Sequence, residues 1–176
     1  MTKVLVVGYG SIGRRHADIL QKIGCEVAVV TRQPVNDYPV FSQIKDGLAN
    51  VRPEYVVIAV ETGRHVEMIE VLSKLGFGGK VMVEKPLAGR KYSPPSKVFS
   101  RLAVAYNLRF HPVLLALRAK LQGLKILAVD VRAGQHLSEW REGRDFRQSY
   151  SASRDLGGGV IRDLSHELDY LLWLFE

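Results

Sequence analysis

The sequence has little of what marks a secreted or membrane-embedded protein. It contains a single cysteine, Cys25, so no disulfide can form within the chain, which suits a reducing compartment. Cys25 leads into an apolar strand pattern, which is typical of a small buried side chain. No apolar run approaches the roughly 18 residues of a transmembrane helix, and the N-terminus has no signal-type cleavage site. We therefore expect a cytoplasmic protein that makes no membrane contact.

The basic residues also lack a dense cluster, although they outnumber the acidic ones. The chain has 25 Lys and Arg against 18 Asp and Glu, which gives a formal net charge of +7. Such a surplus suits either nucleic acid or anionic small ligands such as phosphates. Because the positive charges are spread along the chain, we expect an anionic small ligand and no nucleic acid.

Short β-branched runs alternate with helical patterns in the first part of the chain. Strands are predicted at Lys3–Val7, Glu26–Val30, Tyr55–Val60, Lys80–Glu84 and Leu102–Ala105, and helices at Ile12–Ile23, Phe41–Leu48 and His65–Leu75. The strands are apolar on both faces, which is typical of a parallel sheet covered on both sides. The predicted fold class is therefore α/β, with a doubly wound parallel sheet. In the first helix, Ile12, His16, Ile19 and Ile23 fall on one side.

The regular alternation of short strand and helix patterns ends after Asn107. The pattern predicts a helix over His111–Gln122, a strand over Lys125–Ala133, an irregular loop over Gln135–Asp155 and a closing helix. We therefore divide the chain into residues 1–107 and residues 108–176, the second region being only part of an α/β domain.

A glycine motif joins the first strand to the first helix. In GYGSIG, Gly8 permits a tight turn, Gly10 leaves room for a pyrophosphate, and Gly13 lets the helix pack closely on the strand. The N–H groups at the start of the helix, around Ser11 and Ile12, suit the phosphates of a dinucleotide. The motif predicts a dinucleotide-binding Rossmann domain over residues 1–107. The alternative is a glycine turn without a ligand.

The end of the second strand carries Thr31 and Arg32, where dinucleotide-binding folds usually have an acidic residue for the ribose 2′-hydroxyl. A hydroxyl and a guanidinium suit a 2′-phosphate, because Arg binds phosphate in a bidentate fork. We therefore predict NADP in preference to NAD. The alternative is that Arg32 is a solvated surface charge.

Four motifs occur together in a characteristic order: GYGSIGRRH near the start, VEKPLA at 83–88, YNLRFHP at 106–112 and GGGVIRDLSHELDYL at 157–171. With them the whole chain resembles the glucose–fructose oxidoreductase / inositol dehydrogenase / rhizopine-catabolism (Gfo/Idh/MocA) family. The resemblance implies a Rossmann domain followed by an α/β domain with a large open sheet. It also implies nicotinamide-dependent oxidation or reduction of a sugar, cyclitol or sugar nucleotide. Members are commonly longer, so the resemblance implies a truncated N-terminal portion.

The same resemblance implies three catalytic residues: Lys85, Asp163 and His166. Oxidising a carbinol needs a base for the hydroxyl proton, and His166 could take it while Asp163 orients the ring. Lys85, which follows a predicted strand, could stabilise the negative oxygen. The Asp and His lie three residues apart here, whereas many members have them four apart. The alternatives are a merely exposed lysine, a helix-capping Asp and a satisfied helical His.

Further site residues follow from the resemblance. Thr62 and His65 in AVETGRH, with Glu84, are predicted to contact the cofactor. The long polar loop resembles that of members in bacterial surface-polysaccharide sugar pathways; a mobile surface loop is the alternative. The predicted substrate-binding residues are Arg109, Trp140, Arg141, Arg144, Tyr150 and Tyr170. No metal site is predicted.

The closing segment is expected to form one helix with two different faces. Asp163, His166 and Tyr170 share one direction, and the apolar residues Ile161, Leu164, Leu168, Leu171 and Phe175 share another. The apolar face predicts an exposed patch, self-association or poor solubility, and weak or no turnover for this chain. Separately, we expect the full-length form to be a homo-oligomer. A non-catalytic NADP-binding sensor or partner module is the alternative to a sugar oxidoreductase.

Overall fold

The computed structural model describes residues 1–134, 136–139, 145–154 and 158–176. They form two compact units, which we call unit 1 (Met1–Ala105) and unit 2 (Tyr106–Glu176). The units divide between Ala105 and Tyr106, whereas the sequence pattern places the change after Asn107.

Unit 1 contains a six-stranded sheet in which every neighbouring pair of strands is parallel. The strands are β1 (Lys3–Val7), β2 (Glu26–Val30), β3 (Val40–Phe41), β4 (Tyr55–Ile58), β5 (Lys80–Val83) and β6 (Arg101–Val104). Their order across the sheet is β3-β2-β1-β4-β5-β6. The order reverses beside β1, and ligands of open α/β sheets bind at the carboxyl ends of the strands next to such a reversal.

Helices cover both faces of this sheet: α1 (Ser11–Lys22), α2 (Ile44–Val51) and α3 (His65–Lys74). Successive side chains of a strand point to opposite faces, so β1 contributes to two cores. Leu5 packs in one core with Ile44 of α2 and Ile69 of α3. Val6 packs in the other with Ala17 of α1. The doubly wound α/β fold predicted from the apolar strands is confirmed.

One local prediction in unit 1 is wrong. The segment predicted as a helix over Phe41–Leu48 begins with the end of β3, and α2 starts only at Ile44. On α1, Ile12, Ile19 and Ile23 are 40%, 47% and 70% exposed, and the buried residues are Gly13 and Ala17. The helix lies so close to the turn after β1 that only small side chains fit between them.

Unit 2 is helical in the residues that the structure describes. Its helices are α4 (Pro112–Leu121), α5 (Val160–Asp163) and α6 (Ser165–Phe175). A 3₁₀ turn at Asn107–Phe110 precedes α4, and shorter 3₁₀ turns lie at Leu137–Glu139, Phe146–Gln148 and Tyr150–Ala152. Helices α4 and α6 meet where the Arg118 guanidinium lies 4.4 Å from the centre of a Trp173 ring.

Two predictions for unit 2 are also wrong. Lys125–Ala133 has no regular secondary structure and is exposed throughout. A strand needs a neighbour for its backbone N–H and C=O groups, and the described part of unit 2 contains no strand to pair with it. The closing segment is two helices and not one, because the backbone turns at Leu164, with φ −95° and ψ 28°. Asp163 therefore ends α5, and His166 lies in the first turn of α6.

Among the described residues, no helix combines the length and the apolar character that crossing a membrane requires.

Candidate cofactor and catalytic site

The glycine turn after β1 is shaped by close backbone contacts. Gly8 has φ +96°, and a Cβ placed on it would lie 2.7 Å from the Ala59 carbonyl oxygen. A Cβ on Gly13 would collide with the carbonyl oxygen of Gly8. The position of a Cβ on Gly10, in contrast, has no atom within 4 Å. Gly8 and Gly13 thus serve the fold of the turn, while Gly10 borders open space that a ligand could enter.

The N-terminus of α1 lies at this open space. Gly10 is the N-cap residue, and no side chain caps the helix. The first N–H groups of a helix have no partner within the helix, and they carry the positive end of its dipole. Ser11 and Ile12 are exposed here. Gly10 places no side chain beside these uncapped N–H groups, which leaves an arrangement that suits the phosphates of a dinucleotide.

The predicted ribose-side residues lie just beyond the end of β2. Thr31 is half-buried, its N–H donates to the Phe41 carbonyl (2.9 Å), and its Oγ1 accepts from the Gln33 N–H (3.1 Å). Arg32 is exposed, and its guanidinium forms no ion pair with any residue that the structure describes. An exposed guanidinium at this point is compatible with a phosphate ligand and equally with a solvated charge.

Glu84, Lys85 and Pro86 form a turn directly after β5, which we call the Lys85 turn. Its three residues are half-buried, and the Lys85–Pro86 peptide bond is cis. The Glu84 N–H donates to the Ile58 carbonyl at the end of β4 (2.9 Å). The Lys85 N–H donates to Oε2 of Glu84 (3.2 Å). The predicted catalytic lysine therefore stands at the carboxyl edge of the sheet, next to the loop that follows β4.

Two histidines contact this turn. Nε2 of His16, on α1, lies 2.6 Å from Oε1 of Glu84. His65, at the start of α3, is only 1% exposed and places Nδ1 2.9 Å from the Pro86 carbonyl oxygen and Nε2 3.0 Å from that of Val60. Sequence analysis predicts His65 and the buried Thr62 as cofactor contacts, but it gives His16 no role. The signals that could have found it are its place as the last residue of GYGSIGRRH and a polar ring on the otherwise apolar side predicted for α1.

In unit 2, the predicted catalytic carboxylate and imidazole each contact other residues of the unit. Asp163 accepts hydrogen bonds from Ser151 Oγ and from the Gly159 N–H, both at 3.3 Å. The His166 ring meets the Tyr106 ring edge-on, with centroids 5.7 Å apart. Beside His166, Ser165 Oγ and Glu167 Oε2 are buried and have no hydrogen-bond partner among the described residues. Buried unsatisfied oxygens are unusual in proteins, and a water, an ion or a catalytic role is the usual explanation for them.

Arg109 and Tyr170, two of the predicted substrate-binding residues, also lie in described parts of unit 2. The Arg109 guanidinium donates to both carboxylate oxygens of Asp169 on α6, at 2.8 and 2.6 Å. This pairing raises the pKa of Arg109. Burial, with a smaller effect of the nearby Glu167 carboxylate, raises the pKa of the half-buried Tyr170. Asp169, which sequence analysis overlooks, therefore gives Arg109 an internal partner.

The remaining predicted substrate residues are not placed. Trp140, Arg141 and Arg144 lie outside the described residues, as does the side chain of Tyr150. Among the described residues, no group of three or more His, Cys, Asp and Glu side chains could hold a metal ion.

A parallel sheet with the 3-2-1-4-5-6 strand order and a glycine turn leading into an uncapped helix defines a dinucleotide-binding α/β protein. The family model GFO_IDH_MocA, described as an oxidoreductase family with an NAD-binding Rossmann fold, matches residues 2–92, just over half of the chain. The protein belongs to this Gfo/Idh/MocA oxidoreductase family. None of the curated protein sequences matches the chain.

Solved structures similar to this chain include several dehydrogenases. The WlbA (WbpB) dehydrogenase of Thermus thermophilus, in complex with NAD and UDP-GlcNAcA, is 22% identical with a TM-score of 0.72 over 99% of this chain and 63% of its own. For the WlbA dehydrogenase of Bordetella pertussis, with NADH and UDP-GlcNAcA, the values are 22%, 0.70, 98% and 57%. For a myo-inositol dehydrogenase of Corynebacterium glutamicum they are 18%, 0.70, 99% and 55%.

These likenesses support a shared fold. The present chain spans between 55% and 63% of the length of the three solved proteins. The structural similarity extends over nearly the whole of the present chain, so it includes unit 2 as well as the sheet of unit 1.

Proposed function

We propose that the chain binds a nicotinamide dinucleotide at the glycine turn of unit 1. The chain would then act as part of a dehydrogenase that transfers hydride between the nicotinamide and a sugar, cyclitol or sugar nucleotide. The observation that carries the proposal is the open space at Gly10 beside the uncapped N-terminus of α1. The family of the chain supports the same ligand, because its description names an NAD-binding Rossmann fold.

The protein's own residues supply the proton chemistry in this proposal. When bound, the nicotinamide accepts or donates the hydride. His166 takes the proton of the substrate hydroxyl at a ring nitrogen, and Asp163 stabilises the ring when it becomes charged. Lys85 holds the negative charge that develops on the substrate oxygen. Thr62 and Glu84 are assigned to the cofactor side, together with Ser11 and Ile12.

A sugar nucleotide is the substrate class that we favour. Two of the similar solved structures hold UDP-GlcNAcA together with NAD or NADH. The predicted loop residues Trp140, Arg141, Arg144 and Tyr150 have the aromatic and cationic groups that bind a sugar and its phosphates. We assign Arg109 instead to the internal pair with Asp169. We also propose that the protein forms a homo-oligomer and that nucleic acid is not a partner.

The choice between NAD and NADP remains a proposal. The family description and the three solved structures name NAD or NADH, or no cofactor. The preference for NADP rests on Thr31 and the exposed Arg32 alone. An Arg32→Ala variant distinguishes NAD from NADP as the cofactor. If Arg32 binds a 2′-phosphate, the affinity of the variant for NADP should fall while the affinity of the variant for NAD stays the same.

A non-catalytic cofactor-binding module is the second candidate. The glycine turn and the Lys85 turn both lie in unit 1, so a cofactor could be bound there without any turnover. In that case, Lys85→Ala would leave every measurable activity unchanged and would preserve cofactor binding.

Calorimetric titration of NAD and NADP tests the cofactor proposal. Gly10→Val adds a side chain to the space intended for the pyrophosphate, where a Cβ meets no protein atom within 4 Å, and we expect it to abolish binding. Gly134→Val is the control, because a Cβ there also meets nothing within 4 Å and Gly134 lies in unit 2. The control should bind as the unmodified protein does. No binding of either dinucleotide to the unmodified chain, or equal binding by both variants, would refute the proposal.

A further inference from the structure

His16 joins two parts of unit 1 that are far apart in sequence. It lies on α1, the helix whose N-terminus faces the open space at Gly10, and it contacts Glu84, 68 residues further along the chain. The side chains of His16 and Glu84 are 20% and 14% exposed, so most of the contact is shielded from water. A shielded contact at 2.6 Å constrains both partners more than a solvated surface pair would.

The Glu84 carboxylate connects this histidine to the backbone of the Lys85 turn. Oε1 faces His16, and Oε2 accepts the hydrogen bond from the Lys85 N–H. On the far side of the turn, the Pro86 carbonyl lies within hydrogen-bond distance of His65. Lys85 thus lies between Glu84 and Pro86, each of which is within hydrogen-bond distance of a histidine. The contact of Glu84 with His16 connects Lys85 to α1, the proposed phosphate-binding helix.

The position of His16 on α1 follows from the glycine motif. Gly13 lets the helix approach the turn after β1, because any side chain there would collide with the Gly8 carbonyl. His16 follows three residues later, and residues spaced by three lie on the same side of a helix. The close approach at Gly13 therefore also brings the His16 ring to the carboxyl edge of the sheet, where Glu84 follows β5.

We propose that His16 is a positioning residue which, through Glu84, fixes the backbone of Lys85 relative to the helix that receives the phosphates of the cofactor. The inference rests on the proposed function for the roles of α1 and Lys85. It adds that binding at the N-terminus of α1 constrains the Lys85 turn through the pair of His16 and Glu84. His16 does not touch the substrate in this arrangement.

The first experiment needs neither cofactor nor substrate. Backbone amide exchange is measured by NMR at Lys85, with Leu5 in the centre of the sheet as the reporter of overall stability. In His16→Ala, Lys85 should exchange about tenfold faster than in the unmodified protein, as expected for weakening one hydrogen bond. Exchange at Leu5 should remain unchanged. Equal acceleration at both sites, or no acceleration at Lys85, would overturn the proposal.

Three further variants sharpen this experiment. His16→Gln carries an amide nitrogen that can reach Glu84, and it should restore slow exchange at Lys85. His16→Asn carries the same amide on a shorter side chain and should behave like His16→Ala, so this pair decides the question even if the alanine variant unfolds. His111→Ala is the control, because His111 is an exposed N-cap residue of α4 in unit 2. It should leave Lys85 unchanged.

The second experiment adds NAD as the probe. In the unmodified protein, saturating NAD should slow exchange at Lys85 further. In His16→Ala, calorimetry should still detect NAD binding, but exchange at Lys85 should no longer respond. A response in His16→Ala equal to that of the unmodified protein would overturn the inference. If NAD does not bind the unmodified protein, the proposed function fails, and the first experiment alone decides the role of His16.

Discussion

The two units differ in how they bury apolar surface. In unit 1, Val4, Leu5 and Val6 of β1 have no exposed surface, because helices cover both faces of the sheet. In unit 2, Trp173 and Leu174 are the buried apolar residues among those described, while Val113 and Leu172 are 65% and 67% exposed. The comparison teaches that unit 1 has a core of its own, whereas the helices of unit 2 retain much of their apolar surface in contact with water.

The largest effect is expected from removing a core side chain of unit 1. Leu5→Ala should lower the free energy of unfolding by about 3 kcal/mol or more, since it removes a fully buried side chain and leaves a cavity. Urea denaturation followed by circular dichroism measures this change.

Leu172→Ala provides the same substitution at an exposed site in α6 of unit 2. It should change the free energy of unfolding by less than about 0.5 kcal/mol. Similar losses in both variants would mean that the contrast between the units does not hold in solution.

A second effect should appear within the glycine turn. Gly13→Ala sets a Cβ against the Gly8 carbonyl oxygen, and backbone must shift to make room. We expect a loss of about 1–3 kcal/mol of stability, as for other overpacked sites. Gly10→Ala, where a Cβ meets no atom within 4 Å, should be nearly neutral for stability. Thermal unfolding of the two variants tests whether the fold requires glycine at position 13 but not at position 10.

The third effect concerns the ion pair of unit 2. The Asp169 side chain is 9% exposed, so Arg109→Met would leave a largely buried carboxylate without its cation. We expect a loss of about 1–3 kcal/mol, the usual cost of a buried polar group whose partner is removed. Both tryptophans of the protein belong to unit 2, so tryptophan fluorescence follows its unfolding.

Arg132→Met is the control for this pair. Arg132 is 87% exposed and pairs with Asp130 at the surface of the same unit, where ion pairs contribute little. An effect as large as that of Arg109→Met would show that the loss of positive charge, and not the buried carboxylate, determines stability.

The smallest effect is a pH dependence of unit 1. Burial, assisted by a hydrogen bond to Asp18, raises the pKa of Tyr38 to about 12. Because the folded protein holds this proton more tightly than the unfolded chain, the stabilisation is complete below about pH 10 and is lost as the pH rises through about 12. Urea midpoints measured from pH 8 to 11 should fall less in Tyr38→Phe. An identical fall in both proteins would contradict this origin.

The sheet and the glycine turn could be predicted because their causes are local in sequence. Strands buried on both faces leave apolar runs such as Lys3–Val7, and a turn with tight backbone contacts requires glycine at Gly8 and Gly13. The strand predicted over Lys125–Ala133 failed because a strand depends on a partner, which an apolar pattern does not reveal. The break at Leu164 was missed because both helices on either side of it have helical patterns of their own.

Pairs of distant side chains could not be predicted for a related reason. Arg109 and Asp169 lie 60 residues apart, and His16 and Glu84 lie 68 apart. Neither pair produces a periodic pattern, and each becomes visible only when the fold brings its members together. Two of the Gfo/Idh/MocA motifs contain His16 and Lys85, but the motifs do not reveal that the His16 ring contacts the turn at Lys85.

The central position of β1 also determines the order in which the sheet can be assembled during synthesis. β1 is made first, but one of its edges pairs with β2 and the other with β4, whose Tyr55 lies opposite Val4. A nascent chain therefore carries one edge of β1 unpaired until Tyr55–Ile58 has left the ribosome, even after β2 has paired with the other edge. During that interval the strand is open to chaperones and to other chains. This protein should therefore be more vulnerable to aggregation while it is being made than after its sheet has closed.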